Sequence, residues 1–392
     1  MSKEYKKLQD LCISVTDCPH STPQWTKDGF LVIRNYNIKN GRLDLSKPSY
    51  TNKVDFAKRI QRAVPEAGDI IITREAPMGE VCRIPNGLEC CLGQRMVLLK
   101  PNYSLVDGDY LLYALMSKEV QTQILYNEGT GSTVSNLRIP LLCNLPIPYV
   151  DRTQQRKISG ILANIDHKIA LNTAINDNLQ QQADAIFDEN FPLQEPLPVG
   201  WRKSHLSSIA KYLNGLAMQK YRPAQGENGL PVLKIKELRQ GMTDDNSDRC
   251  SANIKPEYIV HDGDIIFSWS GSLLVDFWCG GDCGLNQHLF KVTSTQFDKW
   301  FVYAWTKHYL NHFIAVAADK ATTMGHIKRD ELDKAEVIIP SSGDYMEIGA
   351  LMQPLYDEII SNRIESRKLS ELRDALLPRL MSGELDVSVL DL

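Results

Sequence analysis

The chain repeats one helical pattern of apolar residues, and this repeat limits the folds that the sequence can adopt. The segment from Ile158 to Asn172 aligns without gaps on the segment from Ile348 to Asn362, 190 positions later. In both copies the apolar positions alternate in steps of four and three residues, which is the spacing of a coiled-coil helix. A fixed internal period predicts a duplicated architecture. We therefore expect two similar halves, each carrying one long helix.

The spacing also predicts which residues form the seam between the two helices. They are Ile158, Leu162, Ile165, Ile169, Asn172 and Leu179 in the first helix, and Ile348, Met352, Leu355, Ile359, Asn362 and Leu369 in the second. Asn172 and Asn362 are central in this seam, so a buried Asn pair there would fix the register at some cost in stability. Alternatively, these positions face solvent or another protein. The pattern is compatible with parallel and with antiparallel helices.

The repeat extends into the regions that precede the helices. Phe30–Arg34 corresponds to Leu230–Lys234 as a short apolar strand that ends in a base. Gly68–Thr73 corresponds to Gly263–Ser268 as a Gly-Asp turn that leads into a β-branched strand. In each half a later strand closes in proline before the long helix begins. Each half is therefore predicted to hold one mixed domain of strands and helices.

We expect an α+β fold with two related domains. Amphipathic segments at Tyr110–Tyr126 and Trp300–Ala315 predict helices packed on the sheets. Three prolines mark a linker that ends the first long helix. The expected segments are a first domain at 1–150, a first long helix at 151–191, a linker at 192–200, a second domain at 201–341, a second long helix at 342–384 and a tail at 385–392.

Composition excludes several classes of protein. The chain of 392 residues, with 43% hydrophobic and 23% charged side chains, is typical of a globular protein with two or three domains. No stretch approaches the roughly 20 apolar residues of a membrane span, and the charged N-terminus lacks an apolar signal core. The nine scattered cysteines fit reduced, buried thiols. We expect a cytoplasmic protein without a membrane partner.

The common signatures of catalysis are missing from the sequence. It has no phosphate-binding loop with Gly-Lys-Ser/Thr, no His-Glu-x-x-His zinc motif and no Gly-x-Ser-x-Gly elbow. Cys279 and Cys283 with nearby His288 supply only part of a zinc site, so buried thiols are the simpler interpretation. Four tryptophans fit a core better than a base-stacking surface, namely Trp269, Trp278, Trp300 and Trp305. We expect no metal or cofactor in this chain.

Charge and polar residues indicate a nucleic-acid partner in part of the chain. The net charge of −4 argues mildly against one, but the basic residues between Arg34 and Arg62 greatly outnumber the acids. Such a run is either a solvated face or a phosphate-binding surface. Polar residues at strand ends and loops could also contact base edges in the major groove, as Arg, Gln and Asn do.

The candidate DNA contacts recur at corresponding places in the two halves. Those in the first half are His20, Thr22, Arg34, Asn37, Lys39, Lys58, Arg59, Arg62, Arg74, Gln94, Arg95, Thr130 and Thr133. Those in the second half are Gln219, Tyr221, Lys234, Lys236, Ser268, Ser270, Gln287, His288, Thr323, His326 and Lys328. Any one of these residues could be plain surface. The argument for a shared role is that the two halves have the same strands and turns but carry different side chains at the corresponding positions.

The whole chain resembles the specificity subunits of type I restriction-modification systems. The most specific similarity lies in the run from Leu145 to Asn172, which includes Gln-Gln-Arg-Lys at its helix start, and Leu376–Leu385 is similarly typical. Upstream, Thr16–Pro23 and Gly93–Arg95 resemble one class of target-recognition domain. The second helix departs from the pattern, because Gly343–Glu347 replaces the Gln-Gln-Arg-Lys start.

This resemblance implies a division of labour within a larger complex. Two pseudo-symmetric target-recognition domains would each read one half of an asymmetric, bipartite site in double-stranded DNA. The two long helices would form an antiparallel coiled coil that sets the spacing between half-sites and docks two methyltransferase subunits. Restriction subunits that translocate and cleave DNA would join them. S-adenosylmethionine and ATP would bind to these partners, and the chain itself would be non-catalytic.

Two interpretations from other classes stay open at this point. A DNA adenine methyltransferase fused to a recognition domain would bind S-adenosylmethionine by itself, although no glycine-rich turn for the methyl donor is present. A coiled-coil scaffold that never touches DNA would fail to bind any duplex, even with methyltransferase partners present.

Overall fold

The computed structural model of the chain describes residues 4–126, 136–191, 196–319 and 329–388. The chain divides into two compact units. Unit 1 comprises Met1–His167 and Glu371–Leu392, and unit 2 comprises Lys168–Ser370. Within the described residues, every helix is too short or too polar to cross a bilayer.

Unit 1 contains the first mixed domain of the repeat. Its strands are β1 (Glu4–Lys7), β2 (Cys12–Asp17), β3 (Trp25–Thr26), β4 (Phe30–Ile33), β5 (Ile38–Lys39), β6 (Arg42–Leu43), β7 (Tyr50–Thr51), β8 (Ile70–Thr73), β9 (Val81–Arg83), β10 (Cys90–Leu92), β11 (Met96–Pro101) and β12 (Pro146–Tyr149). Its helices are α1 (Lys53–Arg59), α2 (Gly108–Met116), α3 (Lys118–Tyr126), α4 (Ile139–Cys143) and the first part of α5 (Arg152–Asn190).

Unit 2 contains the second mixed domain. Its strands are β13 (Arg202–His205), β14 (Lys211–Asn214), β15 (Leu230–Leu233), β16 (Arg249–Cys250), β17 (Ile259–Val260), β18 (Ile265–Ser268), β19 (Leu274–Phe277), β20 (Cys283–Leu285), β21 (Leu289–Thr293) and β22 (Glu336–Ile339). Its helices are the second part of α5, α6 (Leu206–Ile209), α7 (Ile235–Gln240), α8 (Lys299–His308), α9 (Leu310–Asp319), α10 (Asp330–Lys334) and most of α11 (Ser342–Ser382), whose last residues belong to unit 1.

The two units share one antiparallel sheet in the same strand order, whereas their second sheets differ at the edges, where β3 lies beside β7 in unit 1 and β17 lies beside β20 in unit 2. One antiparallel sheet runs β2-β11-β8-β9 in unit 1 and β14-β21-β18-β19 in unit 2. A second sheet contains one parallel pair in each unit, β4 with β10 and β15 with β20. The two-stranded sheet before the long helix also recurs, as β1 with β12 and β13 with β22. The expected pair of α+β domains is therefore confirmed.

The central strands β8 and β18 are apolar except for the hydroxyl residue that ends each of them, Thr73 and Ser268, because both of their faces are covered. Every residue of β8 and of β18 is buried. In unit 1 the core joins β8 and β11 to α2, and in unit 2 it joins β18 and β21 to α8. Trp278, Trp300 and Trp305 are at most 1% exposed, as expected for core residues.

The two predicted amphipathic helices are each broken into two. Ser117 separates α2 from α3, because its backbone is extended (φ −60°, ψ 143°) and its hydroxyl accepts a hydrogen bond of 3.4 Å from the N–H of Val120 in α3. Tyr309 separates α8 from α9 in unit 2. The pattern of apolar residues continues across both breaks, so periodicity alone could not locate them.

The long helices α5 and α11 contain 39 and 41 residues. The side chain of Asp151 caps the start of α5, since its Oδ1 accepts hydrogen bonds from the N–H groups of Thr153 and Gln154 at 2.9 and 3.1 Å. The boundary between the compact units falls inside both helices. The six segments expected from the sequence stay a prediction, because the compact units do not follow the ends of the helices.

Within unit 2, residues further along α5 contact residues that come earlier in α11, so the two helices are antiparallel where they touch. The Nδ2 of Asn172 donates to the Oγ of Ser366 at 3.2 Å, whereas four residues later Asn176 donates to the carbonyl oxygen of Ile359 at 3.4 Å. Unit 1 follows the same trend, with Arg373 donating to the Oδ1 of Asp166 at 2.9 Å. In that unit the apolar residues of α5 that join the core come before Asp166, and those of α11 come after Arg373.

The predicted seam positions are all buried or half-buried. Asn172 and Asn362 are 0% and 6% exposed, but their side-chain amides do not pair with each other. Asn172 donates to the Oε2 of Glu365 at 2.7 Å, and Asn362 donates to the Oδ1 of Asn176 at 3.0 Å. The hydrogen bond from Asn172 holds the pKa of Glu365 below its usual range. The two residues do meet as a buried pair, because the Nδ2 of Asn172 also donates to the backbone carbonyl oxygen of Asn362 at 3.3 Å, and a wider polar layer surrounds them.

Candidate nucleic-acid interface

Three loops of unit 1 meet at one end of its antiparallel sheet. They follow β2, connect β8 to β9 and connect β10 to β11. The strand register places Asp17 opposite Val97, and Thr73 opposite Met96, so the chain ends of β2 and β8 lie beside the start of β11. We call this group, formed by Asp17–Thr22, Arg74–Glu75 and Gly93–Arg95, the first loop cluster. It contains five of the residues predicted from the sequence.

Arg74 is the buried centre of the first loop cluster. Its Nη1 lies 3.0 and 3.1 Å from the two carboxylate oxygens of Asp17. Its Nε donates to the carbonyl oxygen of Leu137 at 2.9 Å, and its Nη2 donates to the Oδ1 of Asn136 at 3.1 Å. A buried charge requires partners of this kind. Arg74 therefore holds the loops together, and its predicted contact with DNA stays a prediction.

Arg95 is the exposed cation of the first loop cluster. Its Nε lies 3.2 Å from the Oε2 of Glu75, and half of its side chain is open to solvent. Glu75 is in turn held by the Nδ2 of Asn136 at 2.6 Å. Arg95 adopts a positive φ of 69°, a left-handed conformation that is uncommon for a residue with a side chain. Such backbone strain is found most often at functional sites.

Gln94 brings the other predicted residues of this cluster together. Its Nε2 donates to the carbonyl oxygen of His20 and lies 3.2 Å from the Oγ1 of Thr22. The Nε2 of His20 is 3.0 Å from the Oδ2 of Asp17. Amide, imidazole, hydroxyl and guanidinium groups thus face one surface, where all of them could donate or accept hydrogen bonds to base edges.

Unit 2 repeats this arrangement with different side chains. Trp269 follows β18 as Arg74 follows β8, and its Nε1 donates to the Oδ1 of Asn214 at 3.0 Å. Asn214 occupies the place of Asp17, because it pairs with β21 at the corresponding register position. The contact has the same place in the fold as the ion pair of unit 1. A neutral hydrogen bond replaces the ion pair.

The second contact of the cluster is repeated as well. Ser270 and His288 take the places of Glu75 and Arg95, and the Oγ of Ser270 lies 3.1 Å from the Nδ1 of His288. Gln287 stands beside His288, with 3.2 Å between their side-chain nitrogens. We call Asn214, Trp269, Ser270, Gln287 and His288 the second loop cluster. Trp269 is half-buried here, unlike the other three tryptophans of the expected core group.

Four other predicted DNA contacts are also used inside the fold. Arg59 is 5% exposed and donates to the backbone carbonyl oxygens of Leu92 and Ser21 at 2.7 and 2.8 Å. Asn37 is 1% exposed, and its Oδ1 accepts from the N–H of Arg34 at 3.0 Å. Ser270, in the second loop cluster, and Ser268, directly before it, are both buried. Their polar atoms make hydrogen bonds that position the loops, and their predicted contacts with DNA stay predictions.

The remaining candidates lie at the surface or outside the described residues. The exposed ones are His20, Thr22, Lys39, Lys58, Arg62, Arg95, Gln219, Tyr221 and Lys236. The half-buried ones are Arg34, Gln94, Lys234, Gln287 and His288. Thr130, Thr133, Thr323, His326 and Lys328 lie outside the described residues.

Several residues of the two clusters were not found from the sequence. Asp17 and Asn214 were missed because a lone polar residue at the end of a strand carries no signal about its distant partner. Glu75 could have been found from its place directly after Arg74, at the end of a buried strand. Trp25, which lies outside both clusters, was also missed, because isolated tryptophans usually belong to a core, yet this residue is 43% exposed.

Comparisons with known proteins agree on one family. The model of the type I restriction modification DNA specificity domain matches the chain twice, at residues 2–181 and 198–369. The type I restriction enzyme MjaIX specificity subunit of Methanocaldococcus jannaschii is 28% identical over 348 residues, which cover 82% of this chain and 79% of that protein. The EcoKI specificity subunit of Escherichia coli is 25% identical over 400 residues, which cover 92% and 84%.

A solved structure supports the fold. The crystal structure of a type I restriction-modification system S subunit from M. genitalium aligns with a TM-score of 0.58 at 15% sequence identity. The alignment covers 97% of this chain and 96% of that one.

Proposed function

The chain belongs to the family of the type I restriction modification DNA specificity domain, which it carries twice, and we propose that each copy reads one half of a bipartite DNA site. It is a DNA-recognition subunit of a type I restriction-modification system and is not itself an enzyme. This assignment replaces the fused methyltransferase and the scaffold that the sequence had left open.

The observation that carries the proposal is that the two loop clusters have the same arrangement in the fold. Equivalent positions make equivalent contacts, but the groups offered at the surface differ. Unit 1 presents an exposed guanidinium on Arg95, whereas unit 2 presents the imidazole of His288. Since base edges are distinguished by their pattern of hydrogen-bond donors and acceptors, unlike loops would read unlike sequences. The site should therefore be asymmetric.

We propose further that α5 and α11 form an antiparallel coiled coil that sets the distance between the half-sites. The opposite directions of their contacts in each unit, and the buried seam positions, support this pairing. At 1.5 Å per residue each helix would extend about 60 Å. A fixed separation converts the modest affinity of each half-site into a combined affinity only where the spacing and the helical phase match.

The proposal includes partner subunits. Two methyltransferase subunits would dock on the long helices and bind S-adenosylmethionine, and restriction subunits would use ATP. The relatives support such an assembly, because each is named as the specificity subunit of a type I restriction enzyme. Partner subunits would also supply phosphate contacts that a chain with a net charge of −4 offers only locally. We place the complex in the cytoplasm.

A heptad insertion tests the spacer. One heptad inserted after Asp177 in α5 and one after Ser361 in α11 would face each other in an antiparallel pair. Seven residues lengthen a helix by about 10 Å, which corresponds to about three base pairs. We expect adenine methylation mapping, in a host that carries the partner methyltransferase, to find a longer spacer between unchanged half-sites.

A matched control inserts the same seven residues after Pro198, in the linker between the first long helix and the second domain. This variant should keep the original spacing. The spacer model is wrong if the helix insertion leaves the spacing unchanged. The whole proposal is wrong if the unmodified complex methylates no bipartite site.

A further inference from the structure

Equivalent basic residues stand directly after β4 and β15, and their surroundings differ. In unit 2 the ammonium group of Lys234 is paired with the carboxylate of Asp248. Lys236 lies 3.2 Å from the Oδ2 of Asp244. The contact with Lys234 holds the pKa of Asp248 below its usual range. The positive charge at this place in unit 2 is therefore neutralised.

The corresponding acid is absent from unit 1. The N–H of Val32 donates to the carbonyl oxygen of Ser49 at 2.8 Å, as that of Val232 donates to Asp248 at 2.7 Å, so Ser49 occupies the place of Asp248. The Oγ of Ser49 lies 2.7 Å from the hydroxyl oxygen of Tyr36. Within the described residues, no acidic side chain forms an ion pair with Arg34. Its charge is not neutralised locally.

Two aromatic rings hold the guanidinium group of Arg34. Its Cζ lies over the rings of Trp25 and Tyr36, at 4.7 Å from each centroid. Both rings are held in place by the fold. Trp25 lies in β3, which pairs with β7, and the hydroxyl group of Tyr36 is hydrogen-bonded to the hydroxyl group of Ser49. Both side chains are also open to solvent, at 43% and 46% exposure. Exposed rings around a half-buried cation are not explained by core packing.

Stacking of this kind restricts the plane of a guanidinium group and leaves its edge of N–H donors available. A phosphate contact needs positive charge but does not need a fixed plane. Reading a base does need one, because the planar fork of arginine makes two parallel hydrogen bonds to O6 and N7 of guanine in the major groove. The restraint on Arg34 therefore fits base recognition better than backbone binding.

We propose that Arg34 reads a guanine in the first half-site, and that Trp25 and Tyr36 are positioning residues that fix the plane of its guanidinium. This inference rests on the proposed function and deepens it for unit 1. The corresponding Lys234 is paired with Asp248, and no ring among the described residues lies against its ammonium group. The two domains thus use the same position for different purposes.

The test uses the complex of the chain with its methyltransferase subunits. Methylation is measured on a set of duplexes in which every position of both half-sites is changed in turn. Arg34→Lys keeps the charge and loses the planar fork. We expect the preference for guanine at one position of the first half-site to fall about tenfold to hundredfold. The second half-site should be read as before.

The positioning role is tested with Trp25→Ala and Tyr36→Ala, which should each weaken the preference at that same position. Tyr36→Phe keeps the ring and should retain most of the preference. Lys27→Gln serves as a matched control, because it removes one exposed positive charge near β3 and leaves the clamp intact. Arg34→Gln provides a second variant at the central position, should Arg34→Lys fail to assemble.

The outcomes separate this inference from the proposed function. Equal weakening on all sequences by Arg34→Gln, with a shallower salt dependence of binding, would identify a phosphate contact and overturn the inference. Unchanged base preferences in both Arg34 variants would overturn it as well. If the unmodified complex methylates no bipartite site, the proposed function itself has failed.

Discussion

The first loop cluster is held by ion pairs, whereas the second makes hydrogen bonds without an acidic side chain at the same places in the fold. The corresponding contacts are Arg74–Asp17 and Trp269–Asn214 at one place, and Arg95–Glu75 and His288–Ser270 at the other. The fold thus requires an interaction that ties neighbouring loops together, but not a particular chemistry. The side chains at these places are free to differ between domains, as readers of different sequences must.

The largest difference between the clusters should appear when the buried contact is removed. Arg74→Leu leaves the carboxylate of Asp17 partly buried without its cation, and it removes a donor to Leu137. Breaking a buried ion pair from one side typically costs about 3–5 kcal/mol. We expect a loss of this size in the free energy of unfolding of unit 1, measured by hydrogen exchange of the β8 and β11 amides.

Trp269→Phe is the matched change in unit 2. It keeps most of the ring and loses one neutral hydrogen bond to Asn214, which is worth about 1 kcal/mol. Hydrogen exchange of β18 and β21 should report this smaller loss. Equal losses in the two units would mean that the ionic and neutral contacts are interchangeable in energy, and the contrast between the clusters would disappear.

A smaller effect on stability, with a clear effect on recognition, is expected at the exposed ends of the clusters. Arg95→Gln breaks a contact with Glu75 that is half open to solvent, so it should change the free energy of unfolding by less than about 1 kcal/mol. Methylation mapping should show an altered preference, of about tenfold, at a position in the first half-site only. His288→Gln should do the same in the second half-site only.

The control for this pair of variants is internal, since each leaves the other domain unaltered. A change in both half-sites from either variant would contradict the assignment of one cluster to each half-site. No change from either variant would show that the side chains of Arg95 and His288 do not contact bases.

The smallest difference is expected for the buried thiols, which both units protect in the same way. Burial raises the pKa of Cys82 and Cys90 in unit 1, and of Cys283 in unit 2, to about 12. The thiolate is the reactive form, so mass spectrometry should find almost no alkylation of these residues at pH 8. Cys143 is only partly buried and should be alkylated sooner.

The same shifts give a direction for stability against pH. The pKa of each of these thiols is higher in the folded state than in the unfolded state. The contribution of the buried thiols to the free energy of unfolding is therefore complete below about pH 9 and is lost as the pH rises toward 12. Both units should therefore weaken together in alkali. Rapid alkylation of either group at pH 8 would show that one core opens more readily than the other.

The sequence predicted the parts of the fold that depend on local periodicity. The strand after Gly68, its equivalent after Gly263 and both long helices follow from patterns that neighbouring residues share. The break at Ser117 did not follow, because the apolar spacing continues through it. The polar layer around Asn172 also depends on where the second helix lies across from it, which spacing alone does not give.

The site was predicted less completely, for a physical reason. Arg74 and Arg95 look alike in the sequence, yet one is buried against Asp17 and the other is exposed. Burial of a charge depends on a partner that is 57 positions away in the chain. The clamp on Arg34 has the same origin, since Trp25 reaches it from another strand. Residue type therefore indicated candidates. Only the tertiary contacts separated the residues that position loops from those whose side chains are open to DNA.

The ion pair between Arg74 and Asp17 has a consequence for the history of the two domains. Replacing one charged partner at a time would pass through an intermediate that leaves a partly buried charge without its counterion, at a cost of about 3–5 kcal/mol. The neutral pair of Trp269 and Asn214 could have replaced the ion pair, or given rise to it, only at that energetic cost. Descendants of one ancestral domain could exchange these chemistries only through paired substitutions, so the two positions should have changed together during divergence.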